Sequence, residues 1–141
     1  MRLDHVAIAV RSIDSAADRL CLLLGYERIT EKIQNSLQQV NVQFLGRAEA
    51  LSIKLIEPSG ADSPLWGALR KGEGLHHLCF EVPDVAEACK ELVDKGARLL
   101  SPPAPGEAFD DHQIAFLYLG LGLNVEVIDT DARRGKLENR D

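Results

Sequence analysis

The sequence predicts an α+β fold: two βαβββ modules in tandem, with their sheets facing one shared cavity. Three observations predict it. First, the chain matches itself at an offset of 72 residues, where Leu3, His5 and Val10 fall on Leu75, His77 and Val82, and Ala16 and Leu20 on Ala88 and Leu92. Second, the segment 51–57 falls on 123–129 at the same offset, so the register survives everything in between. Third, each half passes from an apolar period of two to one near 3.6 and back, with Gly and Pro at the breaks.

The first half opens with a strand over His5–Val10, in which Val6, Ile8 and Val10 share one face and His5, Ala7 and Ala9 the other. Ser12 is placed to cap a helix carrying Ile13, Ala16, Ala17, Leu20, Leu23 and Leu24 on its apolar face, and Gly25 ends it. Strands are expected over Glu27–Lys32, Val40–Leu45 and Leu51–Glu57. The segment 58–74 is a linker with a short helix: Ser63 caps it, Pro64 takes the first position, and Leu65, Trp66 and Leu69 give an apolar stripe with Trp66 as anchor. Arg70 and Lys71 close that helix as a solvated cationic end that could also meet phosphate groups.

The second half repeats the plan. His77–Val82 is the strand, Asp84 and Glu87 cap the next helix, Val85, Ala88, Cys89, Leu92 and Val93 form its apolar face, and Gly96 stops it. Strands follow over Arg98–Leu100, Gln113–Leu119 and Leu123–Ile128, with Gly120–Gly122 as a hairpin turn. Pro102–Gly106 is expected to be a loop. The domain therefore covers residues 1–130, in modules 1–57 and 75–130, and the charged segment 131–141 is expected to be a flexible, fraying tail.

Composition narrows the function classes. The chain has 141 residues, 45% hydrophobic and 27% charged, enough for one packed domain. A net charge of −6 argues against general binding to nucleic acid or anionic membranes. No apolar run is long enough to span a bilayer, and Met1–His5 does not open an apolar leader. Three cysteines without close spacing point to free thiols, hence a cytoplasmic protein.

Strand parity defines the candidate site. His5, Ala7 and Ala9 share a face, as do His77, Cys79 and Glu81; Ser52, Lys54 and Ile56; and Asn124, Glu126 and Ile128. The repeat relates His5 to His77 and Lys54 to Glu126. His5, His77 and Glu126 thus form a set of two histidines and one carboxylate, with open positions for a substrate on a divalent metal. Parity sends His76 to the helix-packing face, a structural residue. His112 lies at a solvated loop edge, and Cys79 is read as a small packing residue.

These segments resemble the vicinal oxygen chelate superfamily, which includes glyoxalase I, bleomycin-resistance proteins, extradiol dioxygenases and methylmalonyl-CoA epimerases. Leu3–Val10 and Gly74–Val82 are similar to its paired metal-bearing strands, and the linker from Leu55 to His77 is closest to the epimerase branch. The resemblance implies a glyoxalase-like fold over residues 1–130. It also implies a divalent metal (Co, Ni, Zn, Mn or Fe) on His5, His77 and Glu126, which would stabilise an enolate as a Lewis acid. Two departures matter. Lys54 stands where a fourth ligand, Glu or Gln, is usual, and an ammonium offers a metal no lone pair, leaving a three-ligand site or none. The epimerase base normally precedes the strand at Val40, but Asn35–Gln39 holds no carboxylate.

The leading expectation is a metal-dependent isomerase or lyase acting through an enolate on a small oxygen-rich or acyl-CoA substrate. Glu126 and Lys54 are its catalytic candidates, and a homodimer is expected. The alternatives are an extradiol-type dioxygenase, with the same three residues holding Fe(II), and a non-catalytic ligand-binding module like the bleomycin-resistance proteins.

Overall fold

The architecture comes from a computed structural model that describes residues 1–138. The first module contains β1 (Arg2–Ala9), α1 (Ile13–Leu24), β2 (Glu27–Arg28), β3 (Ile33–Asn35), β4 (Val40–Gly46) and β5 (Ser52–Pro58). After the short helix α2 (Leu65–Leu69), the second contains β6 (Gly74–Glu81), α3 (Val85–Asp94), β7 (Arg98–Gly106), β8 (His112–Tyr118) and β9 (Asn124–Ile128). The starts of β1 and β6, α1 and α3, β4 and β8, and β5 and β9 each lie 72 residues apart.

Local chemistry sets the helix ends. Ser12 accepts from the Ser15 amide at 3.2 Å, and Asp84 from the Glu87 amide at 2.8 Å, each satisfying an otherwise unpaired donor. Gly25 ends α1 in the left-handed region, φ 72°. Ile13, Ala17 and Val10 pack with Leu45, Ile53 and Leu55 under α1, while Val85, Ala88 and Cys89 pack with Leu117, Val125 and Val127 under α3. Each buried aliphatic side chain contributes about 1.5–3 kcal/mol against leaving it in water. The opposite face of the sheet has its own core, in which Phe44, Ile56, Phe109 and Ile128 meet Leu65 and Leu69 of α2.

The structure corrects several expectations. The modules do not keep separate sheets: β1 and β6 run antiparallel and join all nine strands into one, in the order β2-β4-β5-β1-β6-β9-β8-β7, with β3 also on β4. The strand expected over Glu27–Lys32 is broken because the Thr30 hydroxyl accepts the Phe44 amide, replacing a backbone rung. Pro102–Gly106 is not a loop but part of β7, at the sheet edge, where a missing N–H costs no ladder bond on the outer side. Trp66 is not a core anchor: it is 39% exposed and its indole donates to the Gly60 carbonyl at 2.9 Å.

The segment expected to fray also behaves differently over residues 131–138. Glu31 donates its amide to Gly135, Leu137 donates to Ile29, and Thr30 bridges to Lys136, so this stretch takes up the broken part of the first-module edge. The Arg133 guanidinium lies over the rings of Phe44 and Phe109, at 4.6 and 4.7 Å from their centres. The last three residues of the expected tail lie outside the described residues.

Candidate functional site

The sheet register assembles the site from two adjacent rows. Lys54 on β5 faces Ala7 on β1, which faces His77 on β6; Glu126 on β9 faces Cys79 on β6, which faces His5 on β1. The two rows exchange under the 72-residue offset, Lys54 with Glu126, Ala7 with Cys79 and His77 with His5, so a pseudo-twofold axis brings four polar side chains to one point. Small residues between them, Ala7 and Cys79, leave the long ones room to converge. All four are buried: Lys54 is 3% exposed, His77 1%, and His5 and Glu126 are fully enclosed.

Glu126 Oε1 is the common vertex. It lies 3.4 Å from His5 Nε2, 3.3 Å from His77 Nε2 and 3.2 Å from Lys54 Nζ, and Lys54 also reaches Oε2 at 3.3 Å. Burial, the largest single influence, would push the Glu126 carboxyl up, but the Lys54 ammonium together with the His5 and His77 rings outweighs it and holds the carboxyl well below the usual carboxylate range. Burial pushes the His77 imidazole down to about 3, despite the opposing pull of Glu126, so the ring is neutral. Burial also drives the Cys79 thiol far up, which removes it as a nucleophile.

Both histidines are aimed by the residue that precedes them. Asp4 Oδ2 accepts from His5 Nδ1 at 2.6 Å, and His76 Nδ1 meets His77 Nδ1 at 2.7 Å. Asp4 and His76 are repeat equivalents, and parity had turned His76 away from the site. The register explains the failure. Between the pairs Leu3↔Phe80 and His5↔Cys79, and between Ala7↔His77 and Ile8↔Leu75, one strand carries an extra residue: Asp4 on β1 and His76 on β6. A bulge residue is unpaired and free to re-aim its side chain. Arg133 donates to the same Asp4 oxygen, so the C-terminal segment braces His5 through Asp4. Sequence reasoning missed Asp4, His76 and Arg133. The offset that pairs Asp4–His5 with His76–His77 was the signal for the first two; nothing local signals the third.

Hydrogen placement follows from the partners. A carboxylate only accepts, so His77 carries its proton on Nε2 and donates to Glu126. Its Nδ1 therefore accepts from His76 Nδ1–H, which leaves His76 Nε2 with a free lone pair.

A cavity of about 440 Å³ opens on this cluster between the two modules. Lys54, His76 and His77 are its titratable lining residues, and Ile56, Leu65 and Phe116 supply apolar wall; no carboxylate is among the lining residues. The segment 35–39 contributes Leu37 and Gln38 to the rim. The carboxylate that meets this segment comes from the other module: Glu107 accepts from the Ser36 hydroxyl and, at 2.9 Å, from the Ser36 amide, and these bonds hold its carboxyl low. His112 is exposed, as expected, 4.0 Å from Asp129. Arg70 and Lys71 are exposed and do not line the cavity.

A known family's sequence model matches residues 4–116, a span that holds His5, Lys54 and His77 and ends before Glu126. The chain belongs to the glyoxalase/bleomycin resistance protein/dioxygenase superfamily. It is 34% identical over 119 residues to the ethylmalonyl-CoA/methylmalonyl-CoA epimerase of Cereibacter sphaeroides, covering 83% of this chain and 87% of that protein. It is 35% identical over 105 residues to the mitochondrial methylmalonyl-CoA epimerase of Bos taurus, where the match covers 73% of this chain and only 59% of that protein. Among solved structures, a methylmalonyl-CoA epimerase in complex with methylmalonyl-CoA and NH4+ superposes with a TM-score of 0.79 at 29% identity, covering 94% of this chain and 96% of that one.

Three corners of the cluster suit a divalent cation. His5, His77 and Glu126 offer one ligand atom each, all within 4.8 Å of one another, and His5 Nε2 is buried without a hydrogen-bond partner. The fourth corner does not suit one. The Lys54 ammonium stands there, offers no lone pair, and engages both oxygens of the carboxylate that the ion would need. As arranged, the donor set does not fit a divalent metal.

Proposed function

We propose that the chain moves a proton at the carbon α to the thioester carbonyl of a small acyl-CoA, an epimerase-type isomerisation through an enolate. The observation that carries this reading is the pairing, on one cavity wall, of a fixed cation at Lys54 and an imidazole with a free nitrogen at His76. Removing the α proton sends the C–H electron pair into a new C=C bond and the carbonyl pair onto oxygen. The Lys54 ammonium, held in place by Glu126, meets that developing charge, where a preorganised cation in a partly dry site acts most strongly. His76 Nε2 is the group positioned to take the proton, in place of the carboxylate missing from Asn35–Gln39. A proton delivered from solvent water in the open cavity to the opposite face of the enolate inverts the centre, and His76 gives up the proton it took to solvent. The relatives' names, two of them epimerases of branched malonyl-CoA thioesters, support this substrate class.

In this reading Lys54 and His76 meet the substrate, Glu126 positions Lys54, and His5 and His77 complete the cluster. Among the described residues no helix is long and apolar enough to cross a membrane. Cys21, Cys79 and Cys89 are unpaired, which suits a reducing cytoplasm. A homodimer would cover the sheet edge at β7 and the exposed leucines 22–24 of α1.

The test is exchange of the α proton of methylmalonyl-CoA or ethylmalonyl-CoA in D2O, followed by NMR. The reading expects exchange by the wild type and a loss of at least about a hundredfold in Lys54→Met, the scale of losing one oxyanion donor. Tight acyl-CoA binding without exchange would instead identify a binding module, the reading favoured by the cavity's lack of a carboxylate. Oxygen uptake with a catechol and Fe(II) would identify a dioxygenase.

A further inference from the structure

The corner opposite Glu126 decides what kind of cation this site uses. By register, Lys54 and Glu126 are the pseudo-symmetric members of the two rows, and a site with four ligands would have a neutral or anionic donor at both. Here one corner is a cation and the other its counter-ion. Lys54 Nζ donates to both Glu126 oxygens at 3.2 and 3.3 Å, and the two buried side chains balance each other's charge. A divalent ion added to this arrangement would set three positive charges, the ammonium among them, against the single carboxylate of Glu126. It would also have to displace Lys54 from the carboxylate and take the proton off His77 Nε2.

We propose that Lys54 is a tethered cation standing in place of a divalent metal, and that the site excludes such metals. The ammonium is fixed on β5 by the backbone, oriented by Glu126, and backed by the Phe109 ring at 5.2 Å. It lines the cavity, so it presents a single positive charge to whatever oxygen a ligand brings. His5 Nε2 stays partnerless because the ion that its geometry suits has been replaced from the opposite corner. This inference concerns the cation alone and stands whatever substrate the cavity takes.

The experiment reads metal, not turnover. Protein made without an affinity tag is analysed for bound metals, then stripped with EDTA and titrated with Co2+ alone by calorimetry and visible absorption. The wild type should carry less than about one metal per ten chains and bind Co2+ weakly. Lys54→Glu restores a ligand and balances charge, and Lys54→Gln removes the cation at similar length. Each folded variant should bind one Co2+ per chain at least about tenfold more tightly than wild type, or roughly 1.4 kcal/mol. Adding His77→Ala to Lys54→Gln should abolish that gain. A wild type holding one metal per chain, or one binding Co2+ as tightly as the variants, overturns the proposal. So does a folded Lys54→Gln whose Co2+ affinity is unchanged, and this variant decides the matter if Lys54→Glu does not fold.

Discussion

Replacing Glu126 with Gln should cost far more stability than its single atom suggests. Gln keeps the shape and still offers an oxygen to His77 Nε2–H, so packing and that hydrogen bond are preserved. What it removes is the charge. The Lys54 side chain, 4% exposed, is left with an uncompensated ammonium beside a fully enclosed neutral amide. Removing one member of a buried pair costs about 3–5 kcal/mol, whereas replacing both is close to neutral. For a domain of this length each kcal/mol lowers Tm by roughly 3–5 °C, so Glu126→Gln should melt about 10–20 °C below wild type. The assay is a double-mutant cycle with Lys54→Met, read by urea denaturation at pH 7 in EDTA. Lys54→Met/Glu126→Gln should recover most of the loss, giving a coupling of at least about 2 kcal/mol between the two sites. A Glu126→Gln variant within about 1 kcal/mol of wild type, or a double variant equal to the sum of the singles, would refute the pairing.

Three other outcomes are expected. Acidification should destabilise the protein well before the carboxylates titrate: His77 is held at about 3 when folded but near 6.5 when unfolded, so only the unfolded chain takes up its proton in between. Stability should therefore fall by roughly 1 kcal/mol per pH unit from about pH 6.5 downward, with Glu126 and Asp4, both depressed in the fold, adding their loss below about pH 4. A flat stability profile between pH 6.5 and 4.5 contradicts the neutral buried ring. Arg133→Ala removes a guanidinium that serves Asp4, Phe44 and Phe109 together, and should cost about 2–4 kcal/mol in a urea melt; a cost under about 1 kcal/mol would mean the C-terminal segment does not brace the site. Nitrogen-15 NMR of the histidine rings should find His77 protonated on Nε2 and His76 on Nδ1, and the reverse assignment would remove the proton from the Glu126 contact.

The sequence by itself determined the repeat, the fold class and the four residues at the cluster's centre. That information was legible because strand parity and a 72-residue offset are both local arithmetic: His5, Lys54, His77 and Glu126 each sit where alternation along their own strand puts them. The same arithmetic failed wherever two strands had to fit each other. Asp4 and His76 escape parity because bulges form between β1 and β6, a property of the pairing and not of either strand. The Pro-rich segment became an edge strand because of where the sheet ends, and Arg133 reached Asp4 across 129 positions of sequence. The joining of two modules into one sheet, and the direct contact of Lys54 with Glu126 at 3.2 Å, were decided by tertiary structure. A charge buried at a shared corner needs its counter-ion, and only the folded chain brings one within reach.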